Sequence, residues 1–245
     1  MISYVENLCI KDFECLPEGS IKTRILGMFK CYGANFDFLD FWLQKDENKV
    51  TAAISRFEGE AWLLASQDAN WEELSEFVRV IAPIVLTDVK TAKALGLDPQ
   101  NEFFEVCKET ADGGDNAPPP PIMQIYDLLM SGRDGDIEIS GKDEWYADIS
   151  HRFRHGIAKA KVAQNAVALA GFVTDDSALI SGVATKPSAR GNGEGSAALD
   201  GLCKLLYPRK VYAEATDKVV GFYLKNGFSK SAKLCRCKTY KGVSI

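Results

Sequence analysis

Residues 190–196 read Arg-Gly-Asn-Gly-Glu-Gly-Ser, and no other stretch concentrates so much potential chemistry. Gly191, Gly193 and Gly195 alternate, so the main chain can approach a ligand without Cβ atoms in the way. Residues 178–185 before them read as a strand. Residues behind them read as a helix, with Ala198, Leu199, Leu202, Cys203 and Leu206 on one buried stripe and Asp200 and Lys204 outside. A helix opening on a glycine run offers unpaired N–H groups and the positive end of its dipole. Such a turn binds phosphate oxygens, and Arg190 adds a cation at its mouth.

The elements that must position this loop follow from the pattern around it. The Ala111–Pro121 segment, a Gly/Asp/Asn cluster and then four prolines, reads as a stiff connector between two halves. After it come an apolar helix at 122–130, a loop at 133–139 and a capping box at Ser140-Gly-Lys-Asp143. A helix with Trp145, Tyr146, Ile149 and Phe153 on one face is next. Strands are expected at 157–164, 166–174 and 178–185, with a turn at 175–177. Beyond the loop, a short strand at 211–215 leads to a helix at 217–226 with Val219, Phe222 and Tyr223 on one face. Gly227 stops that helix, and a last strand covers 228–240. The first half shows a similar order. Strands are expected at 36–44, 50–56 and 61–65, then a helix capped by Asn70-x-x-Glu73 with Trp71, Leu74, Phe77, Val78 and Ile81 inward. A strand at 84–86 and a helix from 91 follow. The corresponding loop, residues 66–70, has an Asp and lacks glycine and arginine. The order is consistent with an internal repeat whose second copy alone keeps a phosphate cradle, or with two unrelated halves.

Composition narrows the class. Of 245 residues, 46% are hydrophobic and 26% charged, as in a globular chain with a sizeable core. No apolar run approaches membrane-spanning length and no secretory signal is visible. Seven scattered cysteines without a Cys-x-x-Cys pair indicate a reduced, cytoplasmic setting. No metal site is expected: Cys235-Arg-Cys237 is discounted as a clip, on the reading that the two thiols point to opposite strand faces. Net charge is −5, divided as −10 over residues 1–120 and +5 over 121–245, so the glycine loop lies in the basic half. Nucleic acid is not expected, since no basic run carries interleaved aromatics.

Three readings of the loop compete with a plain strand-to-helix turn. Gly193-Glu-Gly195-Ser-Ala-Ala198 fits G-x-G-x-x-A, with Glu214 where a ribose-binding acid would lie. Too little chain follows for the rest of a doubly wound sheet, and tight turns make the preceding strands an antiparallel meander. A Walker loop is excluded because no Gly-Lys-Ser/Thr follows. The third reading joins two motifs. Arg190-Gly-Asn-Gly193-Glu-Gly195 fits [Arg/Gln]-x-x-Gly-x-Gly/Ala, and Gly221-Phe-Tyr-Leu-Lys-Asn-Gly-Phe228 comes about 30 residues later. This pair, behind two helices and a three-strand meander, resembles the GNAT superfamily of acyl-CoA-dependent N-acyltransferases. The resemblance covers residues 122–240 and reaches the first half only as a degenerate copy. It implies an α+β, or α/β, fold: a mixed, largely antiparallel sheet flanked by helices. It also implies an N-terminal α/β half over residues 1–117 and an acyl-CoA-binding catalytic domain over 118–245.

The resemblance also implies roles. The amides of Gly191, Asn192, Gly193, Glu194, Gly195 and Ser196 would hold the pyrophosphate of acetyl-CoA, a cosubstrate, with Arg190 beside it. The backbone of Val183, Ala184 and Thr185 would pair with the pantetheine arm as an added strand would. Phe222 and Thr216 would complete the cofactor side. Thr216 stands where the family often has Asn, and Glu194 where it has an apolar residue; the Glu194 carboxylate would point away from phosphate if the helix packs normally. Direct attack by an amine on the thioester needs a base, an oxyanion donor and an acid for the leaving thiolate. Tyr223 matches the family's acid, with core packing beside Val219 as the competing reading. Glu214 is the nearest base, with Asp175, Asp176, His151 and His155 as further options; His155, before Gly156, also reads as a helix-end histidine. The acceptor is a small-molecule or peptide amine, for a chain acting as monomer or homodimer. A non-catalytic acyl-CoA-binding module and a nicotinamide oxidoreductase are the alternatives.

Overall fold

The computed structural model describes residues 1–8, 10–34, 36–111, 113, 118–132 and 141–240. The chain forms two units. The first comprises residues 1–105, 215–218 and those from 231 onward, the second 106–214 and 219–230. In chain order the first unit supplies β1 (Ile2–Tyr4), a 3-10 turn (Ile10–Phe13), α1 (Ser20–Tyr32), β2 (Leu39–Asp46), β3 (Lys49–Phe57), β4 (Glu60–Ala65), α2 (Trp71–Ile81), β5 (Ile84–Asp88) and α3 (Val89–Ala94). Strand β6 (Pro99–Glu109) changes unit at Val106. The second unit continues with α4 (Ile122–Ser131), α5 (Lys142–Arg154), β7 (Lys159–Ala163), β8 (Ala166–Val173), β9 (Ser177–Thr185), α6 (Glu194–Leu206), β10 (Lys210–Ala215) and α7 (Val220–Lys225). Strand β11 (Ser229–Lys238) begins in the second unit and returns to the first at Ser231.

Both units are mixed, mostly antiparallel sheets flanked by helices. In the first, β1 to β4 form an antiparallel ladder, β5 adds parallel to β4, and β11 pairs antiparallel with β5. In the second, β7, β8 and β9 form an antiparallel meander and β10 adds parallel to β9. Each unit therefore runs meander, helix, parallel strand, helix.

Local sequence explains most of this. Asn70 accepts the Glu73 N–H and caps α2, whose Leu74 and Val78 are buried among β3, β4 and β5 side chains. In β8 every residue is inside. Val167 and Leu169 meet the α4 and α5 side chains Ile125, Leu128, Leu129 and Ile149. The alternate residues Ala166, Ala168 and Ala170 are fully buried and take the other face. Helix α6 packs against β7, β8 and β9, and those small residues let it come close. The elements that the sequence pattern does not announce are those without local signals. Helix α1 has Gly19 before it and no side-chain cap of its own; its Ser20 N–H is taken by Glu105, far along the chain, at 2.6 Å. Strand β1 and the acidic strand β6 also escape the periodicity reading.

Four expectations change. Helix α7 starts at Val220, and Val220 rather than Val219 is buried, Val219 standing 45% exposed before the helix begins. Tyr146 is exposed at 43%, so the inward face of α5 is Ile149 and Arg152 with Trp145 and Phe153 partly covered. Cys235 and Cys237 share one face: both are fully buried with sulfurs 3.5 Å apart. Residues two apart on a strand point the same way, so the opposite-face argument against a metal clip fails. Among the described residues no group of three or more His, Cys, Asp or Glu is placed to hold a metal. Finally, α5 opens at Gly141, whose N–H is taken by Glu144 at 3.2 Å. The expected loop at 133–139 and Ser140 lie outside the described residues, as does part of the 111–121 connector.

Candidate active site

The glycine loop sits where β9 passes into α6. Gly191 has φ +85° and Gly193 φ +81°, left-handed conformations that side chains with Cβ rarely adopt. A Cβ on either glycine would meet nothing within 4 Å. Their backbone thus faces open space. The first intrahelical bond is Ala197 N–H to Gly193 O at 3.0 Å, so the amides of Glu194, Gly195 and Ser196 have no acceptor within the helix. Glu194 does not crowd this turn: its carboxylate accepts the Asn165 N–H of the β7–β8 turn at 2.8 Å. These features fit a phosphate group.

Arg190 is placed differently from a cation aimed at the glycines. Its Nη2 donates to Gly132 O at 2.9 Å and its Nε to Thr185 O at 3.5 Å. The guanidinium therefore braces the C-terminal end of α4 against the end of β9, with its charge fixed at that side of the loop. Gly132 is part of the same brace. A Cβ there would lie 2.7 Å from Ala184 Cβ and 3.0 Å from Thr185 N. Gly195 is equally confined: its Cβ would stand 2.8 Å from Thr185 Oγ1 and 3.7 Å from the Phe222 ring. Thr185, Gly195 and Phe222 are thus brought together at the start of α6.

Strand β10 is in register with β9 from Lys210↔Ser177 to Ala213↔Ile180. Beyond Ile180 the register ends, and Val183, Ala184 and Thr185 continue without it. At the same point β8 and β9 are irregular, with Gly171 and Ser181 both left out of the pairing. Residues 177–180 are buried and Ser181 is exposed.

Tyr223 is 6% exposed, its ring edge-on to Phe222 and to Phe228 at 5.4 Å each. Burial, with Cys203 and Glu214 nearby, pushes its hydroxyl well above the usual phenol range, so it keeps its proton at neutral pH. The ring is packed in the core beside Phe222 and Phe228. Burial also pushes the Cys203 thiol up to about 11, which makes it a poor nucleophile. Glu214 is half-buried on β10, close enough to act on the Tyr223 titration. Thr216 is exposed after β10 and belongs to the other unit. Asp175 and Asp176 are exposed in the β8–β9 turn. His155 ends α5, its N–H bonded to His151 O and its ring 4.2 Å from that of His151. Gly132, Gly171 and Ser181 carry no motif; their importance comes only from close approach in space.

The family model described as the acetyltransferase (GNAT) family matches residues 122–228. A search of curated proteins finds no match. Among solved structures, the chain is similar to a GCN5-related N-acetyltransferase from Kribbella flavida at TM-score 0.57 and 13% identity, covering 91% of this chain and 95% of that one. It is similar to another from Sphaerobacter thermophilus at TM-score 0.56 and 12% identity, covering 84% and 82%. A third, named as an acetyltransferase from Pyrococcus horikoshii, gives TM-score 0.53 at 13% identity over 97% and 88%. At such identities the likeness is one of fold, and it extends over both units. The loop geometry and the match to the acetyltransferase (GNAT) family model thus fall in the same stretch, residues 122–228.

Proposed function

We propose that this protein transfers an acetyl group from acetyl-CoA to a primary amine by direct attack. The observation that carries the reading is the end of β9–β10 pairing at Ile180, followed within one strand by left-handed glycines at the start of α6. The amides of residues 191–196 would hold the diphosphate of the carrier. The β9 backbone at Val183, Ala184 and Thr185 would pair with its amide-bearing arm, lining up the thioester where the strands part. Phe222 is the remaining carrier contact we assign.

In the reaction the amine nitrogen bonds to the thioester carbon, and the carbonyl electron pair moves to oxygen. The pair returns, the C–S bond breaks, and sulfur leaves as a thiolate. Tyr223 supplies its proton, its phenol being protonated at neutral pH. The proton lost by the amine passes through water or Glu214. Direct transfer, rather than an acyl-enzyme, is favoured because Cys203, the thiol beside Tyr223, is buried and held protonated.

The test is thiol release from acetyl-CoA across a panel of small amines and lysine peptides, with calorimetry for coenzyme A. Amine-dependent thiol release that falls in Tyr223→Phe supports the reading. Tight coenzyme A binding with no release for any amine would instead indicate a carrier-binding module.

A further inference from the structure

We propose that His151 and His155, in the last turn of α5, form a binding site for one divalent transition cation of tetragonal preference, Cu²⁺ or Ni²⁺. The proposal is independent of the acyl-transfer reading, which uses neither histidine. Residues four apart on a helix lie on one face, one turn above the other. That spacing lets two imidazoles share a single ion. Here the two rings have already met: their centres are 4.2 Å apart and their planes tilted by 34°. The His155 N–H donates to His151 O at 3.1 Å, so the turn that carries both rings is closed. His151 is half-buried and His155 exposed, which leaves the pair open to a hydrated ion.

The ring separation selects the ion. A metal about 2.0–2.1 Å from a ring nitrogen lies about 3.2 Å from that ring's centre. Ring centres 4.2 Å apart then subtend about 80° at the metal. A tetrahedral angle would need centres about 5.2 Å apart, so Zn²⁺ fits less well. Square-planar and tetragonal sets of nitrogen and oxygen belong to Cu²⁺ and Ni²⁺. The ring torsion χ2 of histidine is broad, so aiming one nitrogen of each ring at the ion costs little. Among the described residues no group of three or more His, Cys, Asp or Glu is placed to hold a metal, so water completes the coordination.

The surroundings favour a cation at this point. The final carbonyls of α5 are the negative end of its dipole, and both histidines belong to that end of the helix. Two arginines of the same turn are engaged elsewhere. Arg152 donates to Asp148 at 2.9 Å and lies over the Phe172 ring at 4.5 Å. Arg154 reaches back to Ser150 O at 3.3 Å. A bound ion ties the end of α5 just before Gly156, where the chain turns toward β7 at φ +71°. An ion that binds the folded chain and not the unfolded one adds stability by mass action. The site is therefore a staple, with no part in bond making.

The experiment titrates Ni²⁺ into the full-length chain without an affinity tag, into His151→Ala and into His155→Ala. Ni²⁺ is the probe because Cu²⁺ oxidises exposed thiols such as Cys15. Calorimetry reads Kd and stoichiometry, and thermal melting reads the stabilisation. The expected result is one Ni²⁺ per chain, with affinity weakened about 10-fold or more in each variant. The melting temperature should rise with Ni²⁺ in the unaltered chain alone, and Zn²⁺ should bind no tighter than Ni²⁺. Absence of Ni²⁺ binding to the unaltered chain overturns the proposal, as does an affinity unchanged in either variant. Zn²⁺ binding more tightly than Ni²⁺ overturns the tetragonal assignment. Should an alanine variant fail to fold without metal, His155→Gln, at the exposed end of the helix, takes its place and must show the same loss.

Discussion

Replacing Gly193 by Ala separates strain from collision. Gly193 sits at φ +81° as the residue before α6, and a Cβ there would touch nothing within 4 Å. The cost is therefore conformational: an L-residue held left-handed loses about 1–2 kcal/mol. The chain can accept that strain, or relax the turn and swing the amides of residues 193–196 off their aim. Strain retained in the free protein appears as stability loss, a melting shift of about 2–4 °C per kcal/mol for a protein of this size. Strain relaxed in the free protein must be restored on binding, and 1–2 kcal/mol is a rise in coenzyme A Kd of about 5- to 30-fold. Gly191→Ala, at φ +85° with equally open surroundings, should behave alike. Calorimetry with coenzyme A and thermal melting of the same samples measure both parts. Gly193→Ala with unchanged melting temperature and unchanged Kd would refute the reasoning.

Tyr223→Phe keeps the ring contacts with Phe222 and Phe228 and removes only the hydroxyl, so kcat should drop by about 10²-fold or more in a thiol-release assay while coenzyme A affinity holds. Gly132→Ala forces a Cβ to within 2.7 Å of Ala184 Cβ and 3.0 Å of main-chain Thr185 N; overpacking there should cost about 1–3 kcal/mol, measured by chemical denaturation. Asn70→Ala removes the α2 cap and should cost about 1 kcal/mol, with no effect on coenzyme A binding, since Asn70 is not among the carrier contacts. Stability should also fall as pH rises above the ordinary phenol value of 10.0, because the unfolded chain ionises Tyr223 there while the folded chain retains the proton. Tyr223→Phe should remove that part of the alkaline slope in denaturation curves.

The second unit was legible where short-range signals and function coincide. Glycines at 191 and 193 need positive φ, Gly227 stops α7 with φ +84°, and the alternating β-rich runs became β7 to β9. Glu194 turned toward Asn165, as its place on a normally packed helix requires. What escaped depends on contacts between residues far apart. The cap of α1 is Glu105, a residue 85 positions later, so no local pattern marked that helix. Ser181 and Gly171 look ordinary in a strand; only the jump in register makes them special. Arg190 was read by its type, but its direction depends on the carbonyl of Gly132, which only the packing of α4 brings near. Cys235 and Cys237 share a face because residues two apart on a strand point the same way, contrary to the expectation of opposite faces.

The central claim is that the amides opening α6 hold the carrier's diphosphate. Amide resonances of the ¹⁵N-labelled protein, followed as coenzyme A is added, test it most directly. The account predicts the largest shifts at residues 191–196, with smaller ones at 183–185. Saturable binding that leaves the amides of 191–196 unmoved would contradict it.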